Sequence, residues 1–178
     1  MKTVETRIDF FKKHPGMVMA ELGVFMGHFS RELMLCNPER LILVDIWEGP
    51  MSSGINDDDK QIIRIPDMSV VYKDIMREFE FSTPNVHVMR MTSTDFLSDI
   101  DDNCLDCVYI DTDHAFEQTR NELNLSREKV KSGGWITGHD YNISSVQVAV
   151  DSFCQLNNLQ INYLSKDKFV SYYIKNLK

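Results

Sequence analysis

The most constraining feature of the sequence is a pair of short apolar runs, each with an aspartate at or near its end. The first run is Leu41 to Ile46, and the second extends from Cys104 to Asp111. A strand with one solvated face alternates apolar and polar residues, whereas these runs are nearly continuous. The pattern therefore predicts strands that are covered on both faces, as in a parallel sheet between two layers of helices.

Segments before, between and after these runs alternate between strand and helix patterns. Further strands are predicted at Met17–Leu22, Asn85–Met91 and Trp135–Gly138, and a closing hairpin at Leu159–Leu164 and Phe169–Ile174. Helices are predicted at Thr3–Lys13, His28–Cys36, from Asp67 or Ser69 to Glu80, Ala115–Lys131 and Ser144–Asn157. This alternation indicates a Rossmann-like, doubly wound α/β fold with a mostly parallel sheet, to which the hairpin adds an antiparallel strand.

The segment from Trp47 to Pro66 interrupts the alternation. It has little periodicity and contains Gly49-Pro50 and Ser52-Ser53-Gly54. Long loops in compact domains often act as lids or binding loops. We therefore predict that this segment is a long loop and that it helps to select a ligand.

Length and charge narrow the class of protein. The chain has 178 residues, and we expect one domain over residues 1–178. Its 27 acidic residues outnumber its 19 basic ones, and we expect no nucleic-acid partner because nucleic-acid binding depends on a basic face. No stretch approaches the roughly 18 consecutive apolar residues of a membrane span, and the first residues do not resemble a signal peptide. These features predict a cytoplasmic protein with no membrane partner.

Polar residues follow nearly every predicted strand at its carboxyl end. In an open parallel sheet, ligands bind beyond these ends, near the point where the strand order reverses. The residues that the sequence places there are Glu21 to Gly27, Asp45, Thr92 to Asp95, Asp111 to His114, and Gly138 to Tyr141. This clustering is the strongest functional signal in the sequence.

The turn after the first strand favours a particular kind of cofactor. Glu21-x-Gly23-x-x-x-Gly27 opens a helix, and glycines let a backbone approach a ligand closely while a helix N-terminus attracts an anionic group. Asp45 follows Gly23 by 22 positions, where a carboxylate can bind ribose hydroxyls. A dinucleotide site needs G-x-G-x-x-G, but Phe25 replaces its second glycine. Glu21 instead suits an ammonium group, and S-adenosylmethionine offers an ammonium, a carboxylate and a ribose.

Four segments of the chain resemble the class I S-adenosylmethionine-dependent methyltransferases. They are similar in particular to small-molecule O-methyltransferases that carry I-D-x-D-H and G-G-x-x-x-G-H-D-Y signatures. The segments are, in order, Glu21–Ser30, Leu43–Trp47, Val108–His114 and Lys131–Tyr141, and the similarity extends from about residue 17 to the end. The resemblance implies a seven-stranded sheet whose last strand is antiparallel, in agreement with the predicted hairpin.

The resemblance also implies roles for individual residues at a cofactor site. Glu21 and Gly23 would line the methionine end, and Ser30 would lie near its carboxylate. Asp45 would hold the ribose, and the pair Thr92–Ser93 would contact the adenine. The full set of predicted cofactor-binding residues is Glu21, Gly23, Gly27, Ser30, Asp45, Thr92, Ser93 and Asp111.

Two acids match positions that bind a divalent metal in relatives such as catechol O-methyltransferase. Asp111 and Asp140 stand at the ends of the fourth and fifth predicted strands, where those relatives carry metal-binding acids. The asparagine that usually follows the second acid is Tyr141 here. The resemblance thus implies a Mg²⁺ site at Asp111 and Asp140, and Tyr141 is a departure from the pattern of these metal-binding relatives.

Methylation of a hydroxyl group places a further demand on the site. The acceptor must lose its proton, either to a base or because a metal lowers its pKa. His114 and His139 are the predicted bases, and with Asp111 they form the predicted catalytic set; the alternative for each histidine is a structural, hydrogen-bonded role. We expect a small-molecule acceptor, which the sequence does not identify, and a homodimer in which a partner subunit supplies a lid.

Two alternatives to a methyltransferase remain open at the level of the sequence. One is a metal-dependent enzyme of another reaction type, which would bind metal tightly without S-adenosylmethionine. It would use the acids and histidines after the fourth and fifth strands, namely Asp111, His114, His139 and Asp140. The other is a non-catalytic S-adenosylmethionine-binding protein, which would bind the cofactor and methylate no acceptor.

Overall fold

The two apolar runs of the sequence form strands on either side of the same strand in a seven-stranded sheet. In a computed structural model, they form strands β2 (Arg40–Asp45) and β6 (Leu105–Ile110). Both strands pair in parallel with β1 (Val18–Leu22). Five of the six side chains of β6 are buried, which is why its sequence shows no alternation of apolar and polar residues.

The structure describes residues 6–49, 52–56, 61–81, 83, 85–164 and 170–178. The other strands in these ranges are β3 (Ser52–Asn56), β4 (Gln61–Ile65), β5 (Val86–Arg90), β7 (Val130–Gly138), β8 (Ile161–Leu164) and β9 (Ser171–Lys175). The helices are α1 (Arg7–Lys12), α2 (His28–Met34), α3 (Met68–Ile75, continued by a π-helical turn over Met76–Glu80), α4 (Ser93–Asp99), α5 (Phe116–Lys129) and α6 (Ser144–Asn157). Of the described helices, none is long and apolar enough to cross a membrane. Parts of several predicted elements lie outside the described residues: residues 3–5 of the first helix, residues 50–51 and 57–60 of the long loop, and residue 169 of the last strand.

The strand order of the sheet is β5-β2-β1-β6-β7-β9-β8. Neighbouring strands from β5 to β7 are parallel, whereas β9 runs antiparallel to both β7 and β8. The second strand of the closing hairpin, β9, therefore lies between β7 and the first strand of the hairpin, β8. This topology confirms the predicted Rossmann-like, doubly wound and mostly parallel sheet with a C-terminal antiparallel strand. The order reverses between β1 and β6, which opens a crevice at the carboxyl ends of these strands.

Helices cover both faces of the sheet and bury two apolar clusters. Met19 of β1 belongs to the cluster under α1, α2 and α3, whereas Ala20 and Leu22 belong to the cluster under α4, α5 and α6. Successive residues of a strand point to opposite faces, so β1 contributes to both clusters. Because full burial of one large apolar side chain contributes about 1.5–3 kcal/mol, the two clusters hold the helices against the sheet.

The segment from Trp47 to Pro66, predicted as a loop, contains a two-stranded antiparallel sheet. Strand β3 pairs with β4, and Gly54 lies opposite Ile63. The loop prediction was wrong because serine and glycine, which dominate β3, have weak strand propensity. Pairing with the isoleucine-rich β4 forms this strand, and pairing is a property that a local sequence window does not show.

The boundary between α5 and β7 also differs from the prediction. The helix ends and the strand begins at Lys129–Val130, several residues before the predicted change over Lys131–Trp135. Val130 pairs with Leu105, and a bulge then shifts the register between β6 and β7. A Cβ on Gly134 would lie 2.7 Å from a backbone carbonyl oxygen of β6. Glycine at this position therefore permits close packing of the two strands.

Helix α4 was not predicted from the sequence. It has seven residues, and the Thr92 side chain caps it by accepting a hydrogen bond from the Asp95 N–H at 3.1 Å. A helix of two turns is too short to show an apolar period, since only Phe96 and Leu97 are its buried apolar residues. The helix follows β5 directly and so borders the carboxyl edge of the sheet.

Candidate functional site

A cleft of about 1130 Å³ lies at the carboxyl ends of β1, β2, β5, β6 and β7. Ligand pockets typically occupy about 300–1,000 Å³, so the cleft has room for a cofactor and a small acceptor together. The predicted site residues that line it are Glu21, Gly23, Asp45, Thr92, Ser93, Asp111, His114, His139 and Asp140. Gly27 and Ser30 belong to the described part of the chain but do not line the cleft.

Gly23 brings the turn after β1 into direct contact with the end of β6. Its φ is +88°, and a Cβ there would overlap the backbone carbonyl of Asp111, with the carbonyl carbon 2.6 Å away. Gly27 has a φ of +72°, and a Cβ there would lie 2.6 Å from the side chain of Ile75. Packing of one backbone on another therefore requires glycine at position 23. Gly27 is favoured by its positive φ, and it contacts Ile75 of α3 rather than the cleft.

Glu21 is a buried acid at the carboxyl end of β1. Only 2% of its surface is exposed, and its Oε2 accepts a hydrogen bond of 2.6 Å from the Ser30 hydroxyl. Burial raises the pKa of Glu21 to about 8, although the hydrogen bond from Ser30 opposes the shift. Ser30 is itself fully buried, so it acts on the cleft through Glu21. A buried acid in the wall of a cleft is suited to a ligand that brings a positive charge.

Two backbone N–H groups fix the Asp45 carboxylate at the carboxyl end of β2. The Phe25 N–H donates to Oδ2 and the Trp47 N–H donates to Oδ1, both at 2.8 Å. The Trp47 indole donates to the Phe25 carbonyl at 3.0 Å, which ties the turn after β1 to the end of β2. A carboxylate can accept about four hydrogen bonds, so Asp45 retains the capacity to accept more from a ligand.

Thr92 and Ser93 stand at the start of α4, where β5 meets the cleft. The Thr92 hydroxyl donates to Asp95 at 2.6 Å, and Thr92 remains exposed at the rim. The Ser93 hydroxyl is buried and donates to Glu122 at 2.5 Å. Both hydroxyls thus have protein partners that fix their positions beside the cleft.

Glu122 of α5 is a fully buried acid beneath this part of the cleft, and it was not predicted from the sequence. It accepts hydrogen bonds from Ser93, Gln118 and Thr112 at 2.5, 2.9 and 2.9 Å. Burial raises the pKa of Glu122, and these hydrogen bonds oppose the shift. Gln118 and Thr112 also line the cleft, so Glu122 fixes polar groups in its wall. Helix α5 contains several other charged residues, and no local signal distinguishes the buried acid among them.

Two acids and two histidines converge where β6 and β7 end. Oδ2 of Asp140 lies 2.8 Å from His114 Nε2 and 3.1 Å from His139 Nδ1. Asp111 is more distant, at 3.7 Å from His114 and 3.8 Å from His139. The carboxylates of Asp111 and Asp140 raise the pKa of His114 to about 10. Burial disfavours the Asp140 carboxylate, but the two histidines outweigh burial and hold its pKa well below its usual range.

The backbone is strained at two members of this acid–histidine cluster. His114 has a φ of +63° and Asp140 a φ of +55°, in the left-handed region that non-glycine residues rarely adopt. The Ser145 hydroxyl donates to the His114 carbonyl at 2.7 Å and so supports this conformation. Backbone strain costs about 1–3 kcal/mol per residue and concentrates at functional sites. These two conformations therefore support a functional role for the cluster.

Three atoms in the acid–histidine cluster are close enough to share a metal ion. One ligand atom each from Asp111, His139 and Asp140 lies within 4.8 Å of the others, and these donors fit a divalent cation. His114 lies against the same two carboxylates, so a charged His114 and a cation would compete for them. Tyr141, at the position of the usual asparagine, donates to Asp151 at 2.5 Å and packs in the core. It does not add an oxygen ligand to this set.

The sequence profile of a family described as a methyltransferase domain matches residues 20–141. This stretch is more than half of the chain, and it contains Glu21, Asp45 and the whole acid–histidine cluster. No curated protein matches the chain.

Solved structures of several enzymes share the fold. The O-methyltransferase NovP has a TM-score of 0.68 and 16% identity, over 97% of this chain and 80% of that chain. An rRNA methylase from Streptococcus thermophilus has a TM-score of 0.64 and 7% identity, over 96% and 94% of the two chains. Precorrin 8w decarboxylase from Methanobacterium thermoautotrophicum has a TM-score of 0.61 and 15% identity, over 90% and 82%. At these identities the likeness shows a common fold, which in these proteins carries different reactions.

The family match and the cleft agree on a single interpretation. The matched stretch supplies the end of β1, the end of β2 and the ends of β6 and β7, which together form most of the cleft. The chain therefore belongs to the methyltransferase domain family and is an S-adenosylmethionine-dependent methyltransferase.

Proposed function

We propose that this methyltransferase transfers the methyl group of S-adenosylmethionine to a hydroxyl group of a small molecule. The proposal rests on the separation of two kinds of polar group between two sides of the cleft. Groups suited to a cationic nucleoside, Glu21 and Asp45, lie at the ends of β1 and β2, and the acid–histidine cluster lies at the ends of β6 and β7. One cleft thus combines a cofactor side with a side that can accept a proton.

The residues on the cofactor side fit S-adenosylmethionine. Glu21 would bind the ammonium group, Asp45 the ribose hydroxyls, and the pair Thr92–Ser93 the adenine. The cofactor supplies a methyl group on an electrophilic sulfur. The contribution of the chain is to hold donor and acceptor in line, and such positioning can lower the barrier by several kcal/mol.

His139 is the base in this proposal, and Asp140 positions it. The Asp140 carboxylate lies 3.1 Å from Nδ1, so it favours the tautomer that has Nδ1 protonated and its lone pair on Nε2. The His139 side chain is 14% exposed in the cleft wall, which suits a base that must meet a substrate hydroxyl. His114 contacts the same carboxylate oxygen and is a positioning residue for Asp140.

A second candidate is metal-assisted methyl transfer, which the convergence of Asp111, His139 and Asp140 favours. Asp111 and Asp140 are the residues that would hold Mg²⁺, and the ion would supply a lowered pKa of the acceptor hydroxyl. Dialysis against EDTA separates the two candidates. Activity that survives EDTA supports the histidine base alone, and activity that is lost and then restored by Mg²⁺ supports the metal.

A small acceptor is supported by charge. The net charge of −8 and the acids of the cleft wall disfavour a polyanionic substrate such as RNA; five acids line the cleft, namely Glu21, Asp45, Asp111, Asp113 and Asp140. The structural likeness to an rRNA methylase concerns the fold and does not extend to the substrate. We therefore propose phenols, catechols and sugars as the first acceptors to test.

The test combines an acceptor panel with a matched pair of histidine variants. Formation of S-adenosylhomocysteine is measured with each acceptor, beside binding of S-adenosylmethionine. We expect His139→Gln to lower kcat by about 10²- to 10⁴-fold with little change in cofactor binding. The control is His87→Gln, which alters an exposed histidine of β5 outside the cleft and should change neither quantity.

Three outcomes would contradict parts of the proposal. Equal activity of His139→Gln and the wild-type protein would reject the histidine base. Transfer to amines or RNA, with none to hydroxyl compounds, would reject small-molecule O-methylation. Cofactor binding without turnover on any acceptor would support the non-catalytic alternative.

A further inference from the structure

Arg7 of α1 lines the cleft, and the sequence motifs give it no role. Its Nη1 donates to the Tyr109 hydroxyl at 3.0 Å, and its guanidinium carbon lies 4.0 Å from the centre of the Phe29 ring. The side chain is half-buried. Two aromatic residues therefore hold the guanidinium in place while it remains in the wall of the cleft.

Helix α1 is anchored firmly enough to position this guanidinium. Thr6 and Asp9 form a capping box at its start, and Phe10 and Phe11 are buried in the core. An arginine that is already held by its neighbours loses little conformational freedom when it binds a ligand. This makes Arg7 a preorganised positive group.

The surrounding contacts place Arg7 close to Glu21. Glu21 stands directly opposite Tyr109 in the parallel pair of β1 and β6, so both side chains point to the same face of the sheet. Tyr109 accepts a hydrogen bond from the Arg7 guanidinium, and the ring of Phe29 in α2 packs against the same group. The next residue of α2, Ser30, donates to Glu21. A guanidinium and a carboxyl group are thus neighbours in one wall of the cleft.

We propose that Arg7 binds the carboxylate of the amino-acid end of S-adenosylmethionine while Glu21 binds its ammonium group. The inference rests on the proposed cofactor site. A guanidinium donates two parallel N–H bonds to a carboxylate, which gives it both affinity and orientation. Ser30 was predicted to lie near this carboxylate, but it is fully buried and donates to Glu21. Arg7 therefore takes the place of Ser30 as the group that binds the carboxylate.

The charges around Arg7 complement the whole amino-acid end. Asp111 and Glu32 also interact electrostatically with Arg7. Together with Glu21, three acids thus surround one guanidinium group. The cofactor carries two positive groups, the sulfonium and the ammonium, and one carboxylate. Its net positive charge suits the acidic surroundings, and Arg7 determines where its one negative group binds.

The test compares two ligands that differ only in the carboxylate. They are S-adenosylhomocysteine and its decarboxylated analogue, 5′-S-(3-aminopropyl)-5′-thioadenosine, and calorimetry measures the Kd of each. We expect Arg7→Met to weaken S-adenosylhomocysteine binding roughly 10- to 100-fold and to leave binding of the analogue unchanged. The matched control is Arg31→Met, which removes an arginine of α2 that pairs with Glu78 outside the cleft and should alter neither Kd.

Arg7→Lys is measured in parallel, because it keeps the charge and the long stem if Arg7→Met fails to fold. We expect a smaller loss in Arg7→Lys that is again confined to the ligand with the carboxylate. Equal weakening of both ligands, or no weakening of either, would overturn the inference. A wild-type protein that binds neither ligand would instead refute the proposed cofactor site, so the two failures are distinguishable.

Discussion

At the scale of single residues, Glu21 shows how burial determines the chemistry of the cleft. It lies at the end of β1 with its carboxyl group out of contact with bulk water, and the Ser30 hydroxyl donates a hydrogen bond to it. Because its pKa is raised to about 8, the folded protein holds this proton at neutral pH when no ligand is bound. A cationic ligand favours the ionised form, so the proposed binding of the S-adenosylmethionine ammonium group at Glu21 would be coupled to loss of the proton.

Glu21 also makes the free energy of unfolding depend on pH. The group ionises near 4.5 in the unfolded chain and near 8 in the folded protein. Between these pH values the folded state binds more protons than the unfolded state, so the contribution of Glu21 to stability is complete below about pH 4.5 and is lost as pH rises to about 8. We expect Glu21→Gln to remove this loss. Its free energy of unfolding should therefore increase by a few kcal/mol relative to that of the wild-type protein as pH rises through that window. Urea unfolding at both ends of the window measures this gain, and a constant difference between the two proteins would contradict it.

Some residues of the cleft wall could be predicted from the sequence and others could not, for physical reasons. Glu21 and Asp45 lie near the carboxyl ends of apolar runs, where ligands bind in a parallel sheet, so their place in the cleft wall could be predicted. Arg7 lies 102 positions from Tyr109, and only the fold brings the two together. Glu122 is one of several charged residues in α5, and its burial depends on how α5 packs against α4.

At the scale of elements, the contact between the turn after β1 and the end of β6 holds the two sides of the cleft together. Gly23 belongs to the turn and Asp111 follows β6. Their backbones are too close for any side chain on Gly23. The Asp111 N–H also donates to the Leu22 carbonyl at 2.8 Å, which extends the pairing of the two strands to this point.

We expect Gly23→Ala to lower the free energy of unfolding by more than about 3 kcal/mol, because it adds overlap with a backbone carbonyl to the cost of a positive φ. The control is Gly16→Ala, since Gly16 has a φ of +74° and nothing within 4 Å of an added Cβ. This variant should lose only about 1–2 kcal/mol. Urea unfolding compares the two, and losses of similar size would show that the turn tolerates a side chain.

Elements with a strong periodic or apolar signal could be predicted, whereas elements formed by their partners could not. Strands β2 and β6 were evident because burial on both faces requires continuous apolar sequence. Strand β3 contains serine and glycine and exists through pairing with β4. Helix α4 spans seven residues, too few for a helical period, and it depends on its Thr92 cap and on burial of Phe96 and Leu97.

At the scale of the whole molecule, the strand order explains why one cleft contains both halves of the site. The order reverses between β1 and β6, so the chain leaves the two strands toward opposite faces and the carboxyl ends form a crevice. Cofactor-side residues follow β1, β2 and β5, and the acid–histidine cluster follows β6 and β7. A single domain over residues 1–178, a homodimer and a cytoplasmic location stay predictions from the sequence.

Calorimetric titration of the purified protein with S-adenosylmethionine measures directly whether the cleft binds this cofactor. We predict binding in the micromolar range, no binding of NAD⁺, and a Kd for S-adenosylmethionine that Asp45→Asn raises roughly 10-fold or more by removing a charged hydrogen-bond acceptor. Asp99→Asn, an exposed acid of α4 outside the cleft, is the control and should bind as tightly as the wild-type protein. A wild-type protein that binds neither S-adenosylmethionine nor S-adenosylhomocysteine would contradict the assignment of the cleft as a cofactor site.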